Sequence, residues 1–195
     1  MEFINNYFKE LKETIDKISV EDIKRVTDIL YKAYKRDKQI FIIGNGGSAS
    51  TASHFACDLS KGTLQRIYDE KEKRFRVISL TDNVAHLTAL ANDLDYNDVF
   101  SQQLRNLVNP GDIVVAISGS GNSKNILNAV DSASKSGATT IGFLGFDGGK
   151  LKEKVDHYIH VPSNHYGRIE DLHLVLAHLI SSYLTEMKKN EGISN

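Results

Sequence analysis

Apolar residues recur at helical spacing from the start of the chain. Phe3, Ile4, Tyr7, Phe8, Leu11, Ile15 and Ile18 are separated by polar and charged residues, which predicts an amphipathic helix over 3–18. Ser19, followed by Glu21 and Asp22, caps a second helix whose apolar positions are Ile23, Val26, Ile29, Leu30 and Ala33. Beyond residue 38 the pattern changes to short continuous apolar runs divided by helical stretches. It predicts strands at 39–43, 75–80, 112–117, 139–144 and 157–161. Between and after them it predicts helices at 48–61, 84–91, 97–108 and 123–136, a short one near 150–155, and a long one at 168–187. Uninterrupted apolar strands alternating with helices indicate βαβ units and a parallel sheet covered on both faces. The expected fold is therefore α/β: one domain over 1–195, a three-layer α-β-α sandwich with a five-stranded parallel sheet, preceded by N-terminal helices in 1–37. Two early helices are more than one five-stranded layer needs, so they either build a subunit interface or cover a sheet face. The charged run 65–74 reads as an exposed, mobile connection, and residues 190–195 are expected to fray.

Composition narrows the classes of function. A chain of 195 residues with 41% hydrophobic and 25% charged content suits one globular domain with a sizeable core. Lys plus Arg number 24 against 25 Asp plus Glu, so no global field draws nucleic acid or acidic membranes, and recognition must be local. The single cysteine, Cys57, excludes an intramolecular disulfide framework, fits a reducing compartment, and is expected to be a buried structural thiol. A polar N-terminus and the lack of any 18-residue apolar run point to a soluble, cytoplasmic protein with no membrane partner.

Two loops carry candidate chemistry. Ser118-Gly119-Ser120-Gly121-Asn122-Ser123 joins the strand at 112–117 to the helix at 123–136. The first N–H groups of a helix lack intrahelical partners and carry partial positive charge, so an oxyanion fits there. Ser and Asn also cap helices without any ligand, but one cap needs one such residue, and here three hydroxyls occur in six positions. Gly44-Asn45-Gly46-Gly47-Ser48-Ala49 follows the first strand and satisfies G-x-G-x-x-A. A dinucleotide site also expects an acid about 20 residues on, whereas Asp82 lies well beyond that. No nucleotide cofactor is therefore expected. Two loops at the carboxyl ends of parallel strands can instead hold a sugar phosphate between them, with Asn45 and Ser48 on sugar hydroxyls and Ser118, Ser120 and Ser123 on the phosphate.

Taken together, the Gly-Asn-Gly-Gly-Ser loop at 44–48, the serine loop at 118–123 and five alternating strands resemble the SIS (sugar isomerase) domain. His54-Phe55-Ala56 with Asp58, Asn92-Asp93, and Arg168-Ile169-Glu170-Asp171-Leu172-His173 with His178 are similar to its phosphoheptose isomerase branch. The resemblance covers nearly the whole chain. It implies a flavodoxin-like fold, isomerisation of sedoheptulose 7-phosphate for surface-glycan heptose, and a homotetramer with active sites between subunits. It also implies that Asn45, Gly46, Gly47, Ser48, Asn92, Asp93, Ser118, Gly119, Ser120, Ser123 and Glu170 bind substrate, that Asp58 is the base and that His178 is the acid. A non-catalytic SIS protein that binds a phosphosugar, or associates with DnaA, keeps the cradle without the chemistry.

His54 and Asp58, at i and i+4, share one face of their helix, either as a surface pair or as part of a pocket. In some relatives His54 and Glu170 occupy positions that help bind zinc, so His54, Asp58, Glu170 and His178 form a candidate zinc set of two imidazoles and two carboxylates. Glu170 and His178 are eight residues apart, about 12 Å along a helix axis. If both serve one site, different subunits contribute them, and the reactive end of the sugar is expected to meet a partner's His178. His173 is left to a structural role. The chain departs from the branch in four places: Asp58 stands for a glutamate, Glu170 for a glutamine, Lys61-Gly62 where many relatives have an arginine, and Gly167 where an acid is frequent.

Overall fold

Residues 1–193 are described by the computed structural model. The elements are α1 (Glu2–Ile15), α2 (Val20–Lys35), β1 (Gln39–Gly44), α3 (Gly47–Cys57) with a π-helical turn after it (Asp58–Gly62), and β2 (Arg76–Ser79). There follow α4 (Val84–Asp93), a 3-10 turn (Tyr96–Asp98), α5 (Val99–Leu107), β3 (Ile113–Ser118), α6 (Lys124–Lys135), β4 (Thr139–Leu144), a second 3-10 turn (Lys150–Glu153), β5 (His157–His160) and α7 (Tyr166–Ile193). Residues 190–193 continue α7, and the fraying expected of 194–195 lies outside the described residues. Among the described residues, no helix is long and apolar enough to cross a membrane.

The five strands form one parallel sheet in the order β2-β1-β3-β4-β5. Alternate strand residues go to opposite faces. Ile40, Ile42, Ile113, Val115 and Ile117 pack with residues of α2, α3 and α7, while Phe41, Ile43, Val114 and Ala116 pack with α5 and α6. All are at most 4% exposed, which is why the strands read as continuous apolar runs. The expected three-layer sandwich is what forms. From β1 the chain goes outward to β2, and from β3 it goes outward the other way to β4 and β5. The reversal lies between β1 and β3, whose carboxyl ends open the crevice where such sheets bind ligands.

The two N-terminal helices take different roles. Ser19 accepts the Asp22 N–H at 3.1 Å and starts α2, which buries Val26, Leu30 and Ala33 in the core. In contrast, α1 buries only Thr14 and leaves Phe3, Ile4, Phe8 and Ile15 exposed. Polar contacts tie it to the start of α7: the Tyr7 hydroxyl donates to Asp171 at 2.6 Å, and Glu10 pairs with Arg168.

Two expectations are corrected. Cys57 is exposed, because the buried face of α3 carries Ala52, Phe55 and Ala56 and Cys57 is out of phase with it. The 65–74 connection, although exposed along most of its length, is tied down by a buried ion pair. Lys188 of α7 lies 3.1 Å from Glu72, with side chains only 5% and 8% exposed, and donates to the Thr63 carbonyl at 2.8 Å. Burial alone would raise the Glu72 carboxyl. The Gln65 and Arg66 N–H groups and Lys188 outweigh it and hold the group below its usual range.

Candidate active site

The two loops meet at the reversal in strand order. Gly46 caps α3 with no side-chain bond of its own, and Glu170, from the start of α7, lies against the first turn of α3. A Cβ at Gly47 would sit 2.6 Å from both Glu170 carboxylate oxygens, so only glycine allows that approach. A carboxylate at a helix N-terminus is favoured by the helix dipole. On the other side of the crevice, Ser118 accepts the Gly121 N–H at 3.1 Å and Ser120 the Asn122 N–H at 3.3 Å. Both hydroxyl oxygens are used as acceptors, which leaves their protons for an anion. Ser123 is the N-cap of α6 yet its hydroxyl caps nothing. Gly121 has φ +62°, a backbone that side-chain-bearing residues rarely adopt. Asn122 braces the loop, donating to Ser120 O at 2.9 Å and accepting the Lys150 N–H at 3.2 Å.

The acid-base candidates come together within one chain. His178 Nε2 lies 2.8 Å from His54 Nε2, and Asp58 Oδ2 lies 3.4 Å from His54 Nε2 and 3.6 Å from His178 Nε2. The crossing of α3 and α7 brings His178 to its own chain's His54. Glu170 does not join them. Among the described residues only His54, Asp58 and His178 form a metal-ligand group, and Glu170 lies two turns away along α7, at the glycine loop. Asp58 Oδ2 is buried and has no hydrogen-bond partner, an arrangement that costs energy unless a cation or a proton joins it. Two imidazoles and one carboxylate are a donor set that suits a divalent ion with an open position.

Other candidates are placed as follows. Ser48 is buried at the start of α3. Asn92 donates to Asp93 at 2.9 Å at the exposed end of α4, and neither is hydrogen-bonded to the two loops. His173 is fully buried, with Nε2 3.2 Å from the Leu144 carbonyl, and desolvation lowers its pKa from 6.5 to about 4. It is a neutral core residue. Asp82, the acid nearest to a dinucleotide pattern, is engaged by the hydroxyls of Ser53 and Thr81. Two residues escaped sequence reasoning: Asn125 and Tyr96, which both bond Asn45. A polar residue at 125, in phase with the apolar Ala129 of α6, was the available signal.

A family model described as SIS domain matches residues 4–145. The chain belongs to the SIS domain family. Among SIS relatives, a phosphoheptose isomerase of Mycobacterium bovis is 40% identical over 169 residues, covering 87% of this chain and 84% of that protein. A phosphoheptose isomerase of Sulfurimonas denitrificans is 36% identical over 187 residues, covering 95% and 93%. The solved phosphoheptose isomerase of Neisseria gonorrhoeae superposes with a TM-score of 0.86 at 31% identity, over 95% of this chain and 98% of that one. Its SIS fold and this one therefore agree along almost the whole length, α7 included.

Proposed function

We propose that the protein is a phosphoheptose isomerase that interconverts sedoheptulose 7-phosphate and D-glycero-D-manno-heptose 7-phosphate, for nucleotide-activated heptose and surface glycans. The observation that carries the reading is the convergence of His54, Asp58 and His178 between α3, which leaves the glycine loop, and α7, whose first turn packs on Gly119 of the serine loop. Ser118, Ser120 and Ser123 hold the phosphate with the first N–H groups of α6. Asn45, Ser48 and Glu170, with the backbone at Gly46 and Gly47, hold the sugar. Asn92 and Asp93 would join it from α4.

The chemistry is a proton shift between neighbouring carbons. Asp58 takes the proton from C1 of the ketose, and the electron pair forms the C1–C2 double bond of an enediol as O2 gains a proton from His178. Asp58 returns the proton to C2, O1 gives its proton to His178, which is thereby restored, and the carbonyl now stands at C1. Asp58 has one methylene less than the glutamate of the branch, so its position against the substrate is more demanding. Zinc or a similar divalent ion, held by His54, Asp58 and His178, would supply Lewis-acid stabilisation of the sugar oxygens, and with His178 Nε2 bound to it would do so in place of the His178 proton.

A homotetramer fits the exposed apolar surface. Val175, Leu179 and Tyr183 are 52%, 47% and 41% exposed on the α7 face that carries His178, and α1 presents Phe3, Ile4 and Phe8. Covering that face by a neighbouring subunit would shield the acid-base pair from water. Cytoplasmic location fits the reading.

Incubating the pure protein with sedoheptulose 7-phosphate, with and without a chelator and with added zinc, tests the activity. The aldose product is expected, at a rate that Asp58→Ala lowers by about 100-fold or more. No turnover under any metal condition, with phosphosugar binding indifferent to Asp58→Ala, would replace this reading with a binding protein.

A further inference from the structure

Asn45 and Asn125 are 80 residues apart and form a reciprocal amide pair across the crevice. Asn45 Nδ2 donates to Asn125 Oδ1 at 2.9 Å, and Asn125 Nδ2 donates back to Asn45 Oδ1 at 2.9 Å. Asn125 is 2% exposed and lies in the first turn of α6, immediately after the serine loop; Asn45 lies within the glycine loop. The pair is a direct side-chain bridge between the two loops.

Its orientation is set by a group that cannot be reversed. The Ile126 N–H can only donate, and it lies 2.9 Å from Asn125 Oδ1. That contact makes the atom beside Ile126 the oxygen of Asn125, which in turn fixes the direction of the Asn45 amide. With that direction set, the Tyr96 hydroxyl, from the turn after α4, donates to Asn45 Oδ1 at 3.0 Å. Asn45 Oδ1 thus accepts twice. One of the two Asn45 Nδ2 hydrogens is used by Asn125, and the other has no partner among the described residues. It remains for the ligand.

We propose that Asn125, with Tyr96, is a positioning residue: it fixes the spacing between the phosphate loop and the glycine loop and presents one Asn45 amide hydrogen to a sugar hydroxyl. This rests on the phosphosugar reading above. It adds that the two halves of the site are coupled through one amide pair. The helix-capping alternative, in which Asn125 serves only Ile126, is separated by Asn125→Asp, which keeps an oxygen for Ile126. Two carboxylate oxygens cannot pair with an amide that presents one donor and one acceptor.

The test compares KM for sedoheptulose 7-phosphate with the competitive inhibition constant of inorganic phosphate, which probes the serine loop alone. Wild type, Asn125→Asp, Tyr96→Phe, Asn45→Ala and the double variant Asn45→Ala/Asn125→Asp are measured. Asn125→Asp is expected to raise KM roughly tenfold, the size of one misplaced hydrogen bond, and Tyr96→Phe about threefold. Phosphate inhibition should stay within about twofold, and Asn125→Asp should add less than about twofold to Asn45→Ala, since it acts through Asn45. An unchanged KM in Asn125→Asp overturns the proposal, as does equal weakening of substrate and inorganic phosphate or full multiplicativity in the double variant. A wild-type KM in Asn45→Ala removes the proposal while leaving the isomerase reading intact, provided turnover persists. Should Asn125→Asp not fold, the exposed Tyr96→Phe decides by the same comparison.

Discussion

Two histidines of α7, five positions apart, have opposite environments. His178 is half exposed beside His54 and Asp58, whereas His173 is enclosed between the sheet and α7 with its ring 6.0 Å from that of Phe143. Burial disfavours the imidazolium, so the folded state keeps His173 neutral down to a pKa of about 4, against 6.5 in the unfolded chain. Between those values the unfolded chain binds a proton that the native protein excludes. The contribution of His173 to stability is therefore complete above pH 6.5 and is lost as pH falls toward 4. Urea titrations should give an unfolding free energy about 2 kcal/mol lower at pH 5 than at pH 7 from this residue. His173→Gln should flatten that part of the profile, and an identical slope in the variant would show the proton to be taken up elsewhere.

At the level of elements, the C-terminal half of α7 is joined to the turn that follows α3. Lys188 neutralises Glu72 and satisfies the Thr63 carbonyl just beyond the π-helical turn that begins with Asp58. Removing one partner of a buried pair leaves the other charge stranded, so Lys188→Met should cost about 3 kcal/mol. Denaturant unfolding checks this, and Glu72→Gln added to Lys188→Met should recover part of the loss; equal stability of wild type and Lys188→Met would mean that water reaches Glu72. The strands and most helices were legible in sequence because each buried face repeats with the period of its own element, as in Ile40 to Ile43 or Val26, Leu30 and Ala33. The serine loop was legible because three hydroxyls within six residues exceed what one cap uses. Pairings between distant positions were not: Lys188 with Glu72 reads as two solvated charges, and Asn45 with Asn125 as two ordinary polar residues. Helix geometry correctly separated Glu170 from His178, but it could not say that His178 was the one meeting His54 of the same chain. That depends on how α3 and α7 cross, which neither helix encodes alone.

For the whole molecule, the apolar residues left outside the core define the proposed assembly. Phe8 is 57% exposed on a helix whose own contacts to the chain include the Tyr7–Asp171 and Glu10–Arg168 polar links. Phe8→Glu puts a charge on that surface without touching the core. Light scattering should show a shift from tetramer to smaller species, accompanied by a lower kcat if a neighbouring subunit closes the site; an unchanged mass would place the interface elsewhere. The stretch matched by the SIS family model, 4–145, ends just after β4, so it contains both loops, His54 and Asp58 but not His178. In the proposed mechanism the serine loop that would hold the phosphate and the His178 that would donate a proton thus sit on different portions of the polypeptide, with Glu170 on the same helix as His178. Capture of the phosphate and conversion of the sugar would be separable in such a design: a final helix that kept Glu170 but lacked His178 would turn a converter of the sugar into a sensor of it, with the serine loop unaltered.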